Sequence, residues 1–154
     1  MIRVSLAMAA ALCLTSSMAI ATPGGCRWSI PADIGQRPTR WLGSCRAGAA
    51  DGLGILRAGT REPYDFFLGR MVRGRPHDGL MIGHGTEWLA ASGFDPSGAI
   101  VRSSDEDGSG FEAIFDRAAA AADAVARRMD ADGNHASARY YRSLAEKVRK
   151  SIPE

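Results

Sequence analysis

The sequence predicts an α+β fold: an N-terminal antiparallel β-hairpin ribbon followed by a C-terminal antiparallel helix pair. Three observations carry that prediction. Glycines punctuate the chain at turn-like spacings from Gly43 onward. The apolar residues change to three- and four-residue steps at Phe111. Between the two regimes lies Ser103-Ser104-Asp105-Glu106-Asp107-Gly108-Ser109-Gly110, a polar linker over 103–110 that cannot support a core.

The ribbon starts at Trp41-Leu42-Gly43-Ser44-Cys45-Arg46-Ala47-Gly48-Ala49-Ala50-Asp51-Gly52-Leu53-Gly54. This reads as a strand, a tight turn and a returning strand. Asp51-Gly52 has the chemistry of a two-residue hairpin turn, because glycine reaches φ > 0 without steric cost. Trp41 and Leu42 before it, and Leu53, Ile55 and Leu56 after it, supply the apolar strand residues. The pattern recurs. Phe67 aligns with Trp41, Gly69 with Gly43 and Gly74 with Gly48, while Asp78-Gly79 aligns with Asp51-Gly52 after one inserted residue. A weaker third copy begins at Trp88, with Ala90, Asp95 and Gly98 in correspondence. Offsets of about 26 and then about 21 residues are those of stacked repeats.

Over roughly residues 39 to 101 the chain resembles the MORN repeat, whose units run aromatic-x-Gly-x-x-x-x-Gly and then a small or polar residue, Gly, x, Gly. Cys45 stands where that family often has Trp, and Met81 where the second unit's last glycine would fall. The resemblance implies a curved ribbon of hairpins acting as a scaffold or interaction module, sometimes lipid-associated. It implies no catalysis by the ribbon itself.

Residues 1–21 have the layout of a cleaved signal peptide: Arg3, an apolar run from Val4 to Leu14, and small residues at Ala19-Ile20-Ala21. The run is too short to span a membrane. Cys13 would be lost with it. Leu12 is too large for a lipoprotein cleavage site. Removing 21 of 154 residues leaves 133, one small domain. Arg3 is the only charge removed, so 18 basic residues face 17 acidic ones in the mature chain. That balance excludes a global polyanion-binding surface but allows a local patch. Periplasmic or secreted localisation follows from the signal.

Cys26 and Cys45 remain, and an even count in an exported protein predicts a disulfide. The bridge would close a loop of about 20 residues, worth roughly 3 kcal/mol on the loop-entropy account. It would fix the segment 22–40, read as a loop with one short strand around Arg27-Trp28-Ser29-Ile30, against the first hairpin. The repeat region is therefore delimited as 22–102.

The helical part runs over 111–152 and is expected to pack on the β part as one domain. Phe111, Ile114, Phe115, Ala118, Ala122, Val125 and Met129 form one stripe, with Ser109 as N-cap and Glu112 completing a capping box. Asp132-Gly133 ends this helix. A second runs from about His135 to Ser151, with Tyr140, Leu144, Val148 and Ile152 as its stripe.

Candidate chemistry is sparse. His77, Asp78, His84 and Glu87 could form an acid–base or metal site, yet two histidines on a hairpin fall short of the three or four converging ligands of zinc, and Asp78 reads as a turn residue. No nucleophile elbow, calcium-loop spacing or phosphate-binding glycine loop is present. No cofactor is expected. Two basic groups stand out: Arg70, Arg73 and Arg75 along one hairpin, and Arg139, Arg142, Lys147, Arg149 and Lys150 on the last helix. These, with Trp88, are the candidate binding residues. The expected function is an exported non-enzymatic protein-binding module that uses an exposed hairpin face, with a bacterial immunity or inhibitor protein as one concrete version. The alternatives are an envelope enzyme or ligand binder at His77, Asp78, His84 and Glu87, and a membrane-surface module acting through the basic C-terminal helix. Another protein is the expected partner; nucleic acid is not expected.

Overall fold

The computed structural model describes residues 25–83, 88–102 and 108–152. Residues 1–21, expected to be a signal peptide, and linker residues 103–107 lie outside the described residues. Along the chain run β1 (Thr39–Trp41), β2 (Cys45–Arg46), β3 (Ala49–Ala50), β4 (Gly52–Ala58), β5 (Asp65–Val72), β6 (Arg75–Ile82), β7 (Trp88–Ala91), β8 (Gly93–Phe94), β9 (Ile100–Val101), α1 (Ser109–Ala131) and α2 (His135–Lys150). The α+β order is as the sequence predicts. Strands β1, β4, β5, β6 and β7 form one antiparallel sheet in that order, while β2–β3 and β8–β9 are small separate hairpins.

The tight turns fall elsewhere than the sequence reading places them. They are Ala47-Gly48 and Arg73-Gly74, each with both residues at positive φ (48° and 71°, 50° and 80°). This is the backbone that matches the twist of a two-residue hairpin. Asp51-Gly52 instead marks the break between β3 and β4, and Asp78-Gly79 lies inside β6 next to a bulge opposite Arg70 and Met71. Asp78 is thus a strand residue, not a turn residue.

The two units share a glycine row. Gly54 pairs with Gly69, and Gly69 with Gly79. Gly43 continues the row, since a Cβ on Gly54 would come 2.7 Å from the Gly43 Cα. The structural counterpart of Gly79 is therefore Gly54, not Gly52. Each row segment has an aromatic ring laid over it. A Cβ on Gly43 or Gly54 would meet the Trp41 ring at 2.2 and 2.7 Å, and one on Gly69 or Gly79 would meet the Phe67 ring at 3.0 and 2.8 Å. The aromatic-x-Gly spacing places the ring two residues along the same face, over the glycines (period 2).

The third copy is shifted by one residue. Met81 pairs with Leu89 and Gly79 with Ala91, so Leu89 and Ala91 occupy the aromatic and glycine positions. A slip of one residue turns a side chain to the opposite face. Trp88 accordingly faces the helices, its ring stacked on Phe115 at 6.0 Å.

The sheet is covered on both faces. On one, Leu42, Ile55, Phe66, Leu68 and Leu80 pack against Ile114, Phe115, Ala118, Ala122 and Val125 of α1. On the other, Trp41, Leu56, Phe67, Met71 and Met81 pack against Ile34, with Trp28, Ile30 and Phe94 at the margin. The segment around Arg27 contributes a single parallel bridge to Ala49 rather than a strand. It is joined to β2 by the predicted Cys26–Cys45 disulfide, whose Cα atoms are 5.7 Å apart.

The helices are antiparallel: Asp130 of α1 pairs with His135 and Arg142 of α2, and Asp123 with Arg149. The stripe of α1 is as predicted, but its N-cap is Gly108 rather than Ser109. Asn134 caps α2, its side chain accepting from the Ser137 N–H (3.1 Å). Tyr141, not Tyr140, joins the buried stripe, with Ala138, Ala145 and Val148. Alanines 118, 119, 121, 122 and 126 are all essentially inaccessible, which lets α1 sit close to both α2 and the sheet.

Candidate functional site

Both sheet faces are covered, so the ribbon offers no open hairpin face; one of its accessible parts is the end where the turns Ala47-Gly48 and Arg73-Gly74 lie. The N-terminal segment stitches the two turns together. Arg27 N–H donates to the Gly48 carbonyl (3.0 Å), Ala50 N–H to the Arg27 carbonyl (2.9 Å), Ser29 N–H to the Gly74 carbonyl (2.6 Å), and Gly74 N–H to the Ala50 carbonyl (2.7 Å). Gly74 is required here twice over: its φ is +80°, and a Cβ would lie 2.9 Å from the Arg27 carbonyl oxygen.

At this end β5, β6 and the turn between them carry Arg70, Arg73, Arg75 and His77. The Arg70 and His77 side chains are 44% and 52% exposed. Arg73 and Arg75 are exposed as well, and Val72 is an exposed aliphatic beside them. Val72, Arg73, Arg75, Pro76 and His77 line a hollow of about 320 Å³. The Arg73 N–H donates to Asp51 Oδ2 (3.2 Å), which ties the second turn to the first unit.

Asp78 closes the same end from the helix side. It is 5% exposed. Arg70 Nε donates to its Oδ1 (3.0 Å), His77 Nδ1 lies 2.8 Å from the same oxygen, and Arg117 of α1 pairs with Oδ2. A buried carboxylate is stable only when paired and hydrogen-bonded, and this one has three partners. The helix-facing row Ile55, Leu68, Leu80 is apolar; the next row along the sheet carries Arg70 and Asp78. The ion-pair cluster therefore pins α1 where the apolar interface ends. His84 and Glu87 lie outside the described residues, and among the described residues no group of three or more His, Cys, Asp or Glu side chains could hold a metal ion.

The basic C-terminal helix is divided differently from its sequence. Arg142 and Arg149 are engaged with Asp130 and Asp123, and Lys147 Nζ sits 5.7 Å from the centre of the Trp88 ring. Arg139 and Lys150 stay on the exposed side. The apolar stripe of α2 is buried within the domain, and no described helix is long and apolar enough to cross a membrane. Trp88 is half-buried between Phe115 and Lys147, so it serves the sheet–helix packing.

Two of the further hollows among the described residues bear on these groups. One, of about 230 Å³, lies where α2 meets the β4–β5 loop and is bordered by Arg57, Glu62, Tyr64 and Tyr140. There burial first, and the neighbouring Glu62 carboxylate second, push the Tyr140 phenol up to about 12. The other, of about 460 Å³, opens beside Arg75 between the N-terminal segment and the β8–β9 hairpin, bordered by Ile30, Pro76, Phe94 and Pro96. Sequence reasoning found Arg70, Arg73 and Arg75 but missed Arg27, Arg46 and Arg117. No local pattern links those three to the hairpin, since the first arrives through the disulfide-tied segment and the last through α1.

Family models, curated proteins and solved structures were all compared with the chain, and none of them matches it.

Proposed function

We propose that this protein is an exported, non-enzymatic protein-binding module that engages its partner through the hairpin end of a MORN-like ribbon. The supporting observation is the exposed β5–β6 tip, where Val72, Arg73, Arg75 and His77 surround an open hollow at the end of an otherwise covered sheet. Loops held on a rigid scaffold are the usual place for recognition. Here the scaffold is rigid by construction: a filled core on each face, a disulfide at one turn and an ion-pair cluster behind the other. Arginine with an adjoining apolar residue is also the composition of contact surfaces.

A periplasmic or secreted location accords with the signal-like residues 1–21 and with the Cys26–Cys45 bond, because disulfides persist in oxidising compartments. The concrete version is an immunity or inhibitor protein that blocks a rival's toxin. In this reading His77 and Asp78 hold the tip in shape, and the C-terminal helix supports the sheet.

The test is capture of a partner from periplasmic extract by the disulfide-intact chain, run beside the Val72→Asp variant. The reading expects a protein retained at micromolar affinity or better by the native chain and lost with Val72→Asp. Equal retention by both would remove the tip from the account, and no retained protein would remove the binding module altogether.

A further inference from the structure

We infer that the partner is recognised as an acidic polypeptide segment, laid across an arginine surface that the two hairpin turns and the N-terminal segment build together. This rests on the binding-module reading and specifies its chemistry. The stitching hydrogen bonds bring three separate stretches to one end of the sheet: Arg27 beside Gly48 and Ala50, Arg46 on the strand leading into the first turn, and Arg73 and Arg75 flanking Gly74. Arg70 lies two pairs further in than Val72–Arg75, opposite Asp78.

The charge at this end is unbalanced. Asp78 is paired with Arg70, His77 and Arg117. Asp51 and Asp95 accept only from neutral donors, so two carboxylates stand against Arg27, Arg46, Arg73 and Arg75 and the end is net positive. Arg27 Nε donates to the Gly48 carbonyl (3.3 Å), a neutral acceptor, and no carboxylate pairs with its guanidinium among the described residues. Arg46, Arg73 and Arg75 are exposed. The whole chain is nearly neutral, at a formal +2, so this concentration is local. Guanidinium groups pair with carboxylates in a bidentate geometry, which favours Asp and Glu side chains as the complementary groups.

The hollow of about 460 Å³ beside Arg75 supplies the second element. Ile30, Pro76, Phe94 and Pro96 give it apolar walls, Arg75 stands at its rim, and the Asp95 carboxylate that also lines it is turned to the Ser97 and Ala99 N–H groups of its own hairpin. A lipid headgroup or an inorganic anion has no use for such a pocket at that position. A peptide carrying one aromatic or aliphatic residue among its acids does.

The experiment measures fluorescence anisotropy of a labelled peptide of eight glutamates with one central phenylalanine, titrated with the disulfide-intact chain. Variants are Arg46→Glu/Arg75→Glu at the surface and Arg139→Glu/Lys150→Glu on the exposed side of α2. Circular dichroism checks that each retains its fold. Expected are saturable binding that weakens steeply with added salt, a loss of tenfold or more in the first variant, and no change in the second. An all-glutamate peptide should bind several-fold more weakly. The inference is overturned by no peptide binding, by equal losses in both variants, or by tighter binding to vesicles containing phosphatidylglycerol than to the peptide. If a captured protein partner is lost with Val72→Asp yet not displaced by excess peptide, the binding module stands and the acidic chemistry is wrong.

Discussion

The two faces of the sheet are covered by opposite means. The helix face is built from large side chains, Ile55, Phe66, Leu68 and Leu80, meeting the alanine-rich stripe of α1. The other face is built partly from missing side chains. Gly43, Gly54, Gly69 and Gly79 form a trough, and Trp41 and Phe67 lie flat in it. The first arrangement tolerates gradual change, because alternative side chains can repack. The second does not, because at Gly54, Gly69 and Gly79 what would have to move includes backbone. The difference also explains the cross-link. The cover on the glycine side is an irregular segment with one bridge to the sheet, while the cover on the helix side is a cooperative pair of helices.

The sharpest break in that contrast is expected at Gly69. A Cβ there would lie 2.3 Å from the Asp78 carbonyl oxygen and 2.7 Å from the Gly79 Cα. Gly69→Ala should therefore destabilise by about 3 kcal/mol and lower the melting temperature by roughly 10 °C or more. Gly83→Ala, with open space around its Cβ, should stay within about 0.5 kcal/mol. Similar melting temperatures for the two variants would show that the trough is not constrained by backbone.

Loss of the disulfide comes close behind. Cys26→Ser/Cys45→Ser should cost about 3 kcal/mol and loosen the glycine-side cover first. The helical signal from residues 111–151 should persist in part at temperatures where near-ultraviolet dichroism of Trp28 and Trp41 is already lost. A single transition seen by both probes would mean that the two faces melt together.

Asp78 tests the boundary where the faces meet. Asp78→Ala leaves Arg70 and Arg117 facing each other without their carboxylate. Removing one partner of a fully buried pair typically costs about 3–5 kcal/mol, and the partial exposure of both arginines reduces this to about 2. A double-mutant cycle with Arg117→Met should give a coupling of about 1 kcal/mol. Strict additivity would show that α1 is held by its apolar stripe alone.

The smallest effect is at the far end of the helix side. Tyr140 keeps its proton up to about 12 in the folded chain, through burial and the nearby Glu62. An unfolded tyrosine titrates near 10, so between those values the unfolded chain has lost a proton that the folded one retains. Stability at this residue is thus unaffected below pH 10 and falls as the pH rises from 10 through 12. Absorbance at 295 nm should show late titration to which Tyr140 contributes, beside Tyr141, whose phenol is also pushed up by burial, and Tyr140→Phe should remove one tyrosine's worth of that late signal. Ionisation of all three tyrosines together near pH 10 would refute it.

Much of this architecture was legible in one dimension. The change of period at Phe111, the stripe of α1, the helix break at Asp132-Gly133 and the pairing of Cys26 with Cys45 are all local signals, and each survives in the fold. The repeat was legible as a spacing, but its register was not. Two glycines near each turn satisfy the same pattern, and Ala47-Gly48 and Arg73-Gly74 take the turns because their positive φ values close the hairpins. Trp88 and Leu89 are adjacent, and only strand pairing decides that Leu89 continues the aromatic row while Trp88 turns to the helices. Tyr140 and Tyr141 pose the same ambiguity on α2, resolved by packing: Tyr141 is buried with Ala138, Ala145 and Val148 while Tyr140 stays exposed. The candidate surface lay furthest from the sequence. Arg27, Arg46 and Arg75 belong to three separate stretches, and Arg117 comes from α1. What joins them is backbone hydrogen bonding between segments remote in the chain, together with the buried carboxylate of Asp78, and those contacts exist only once the sheet has been covered on both sides.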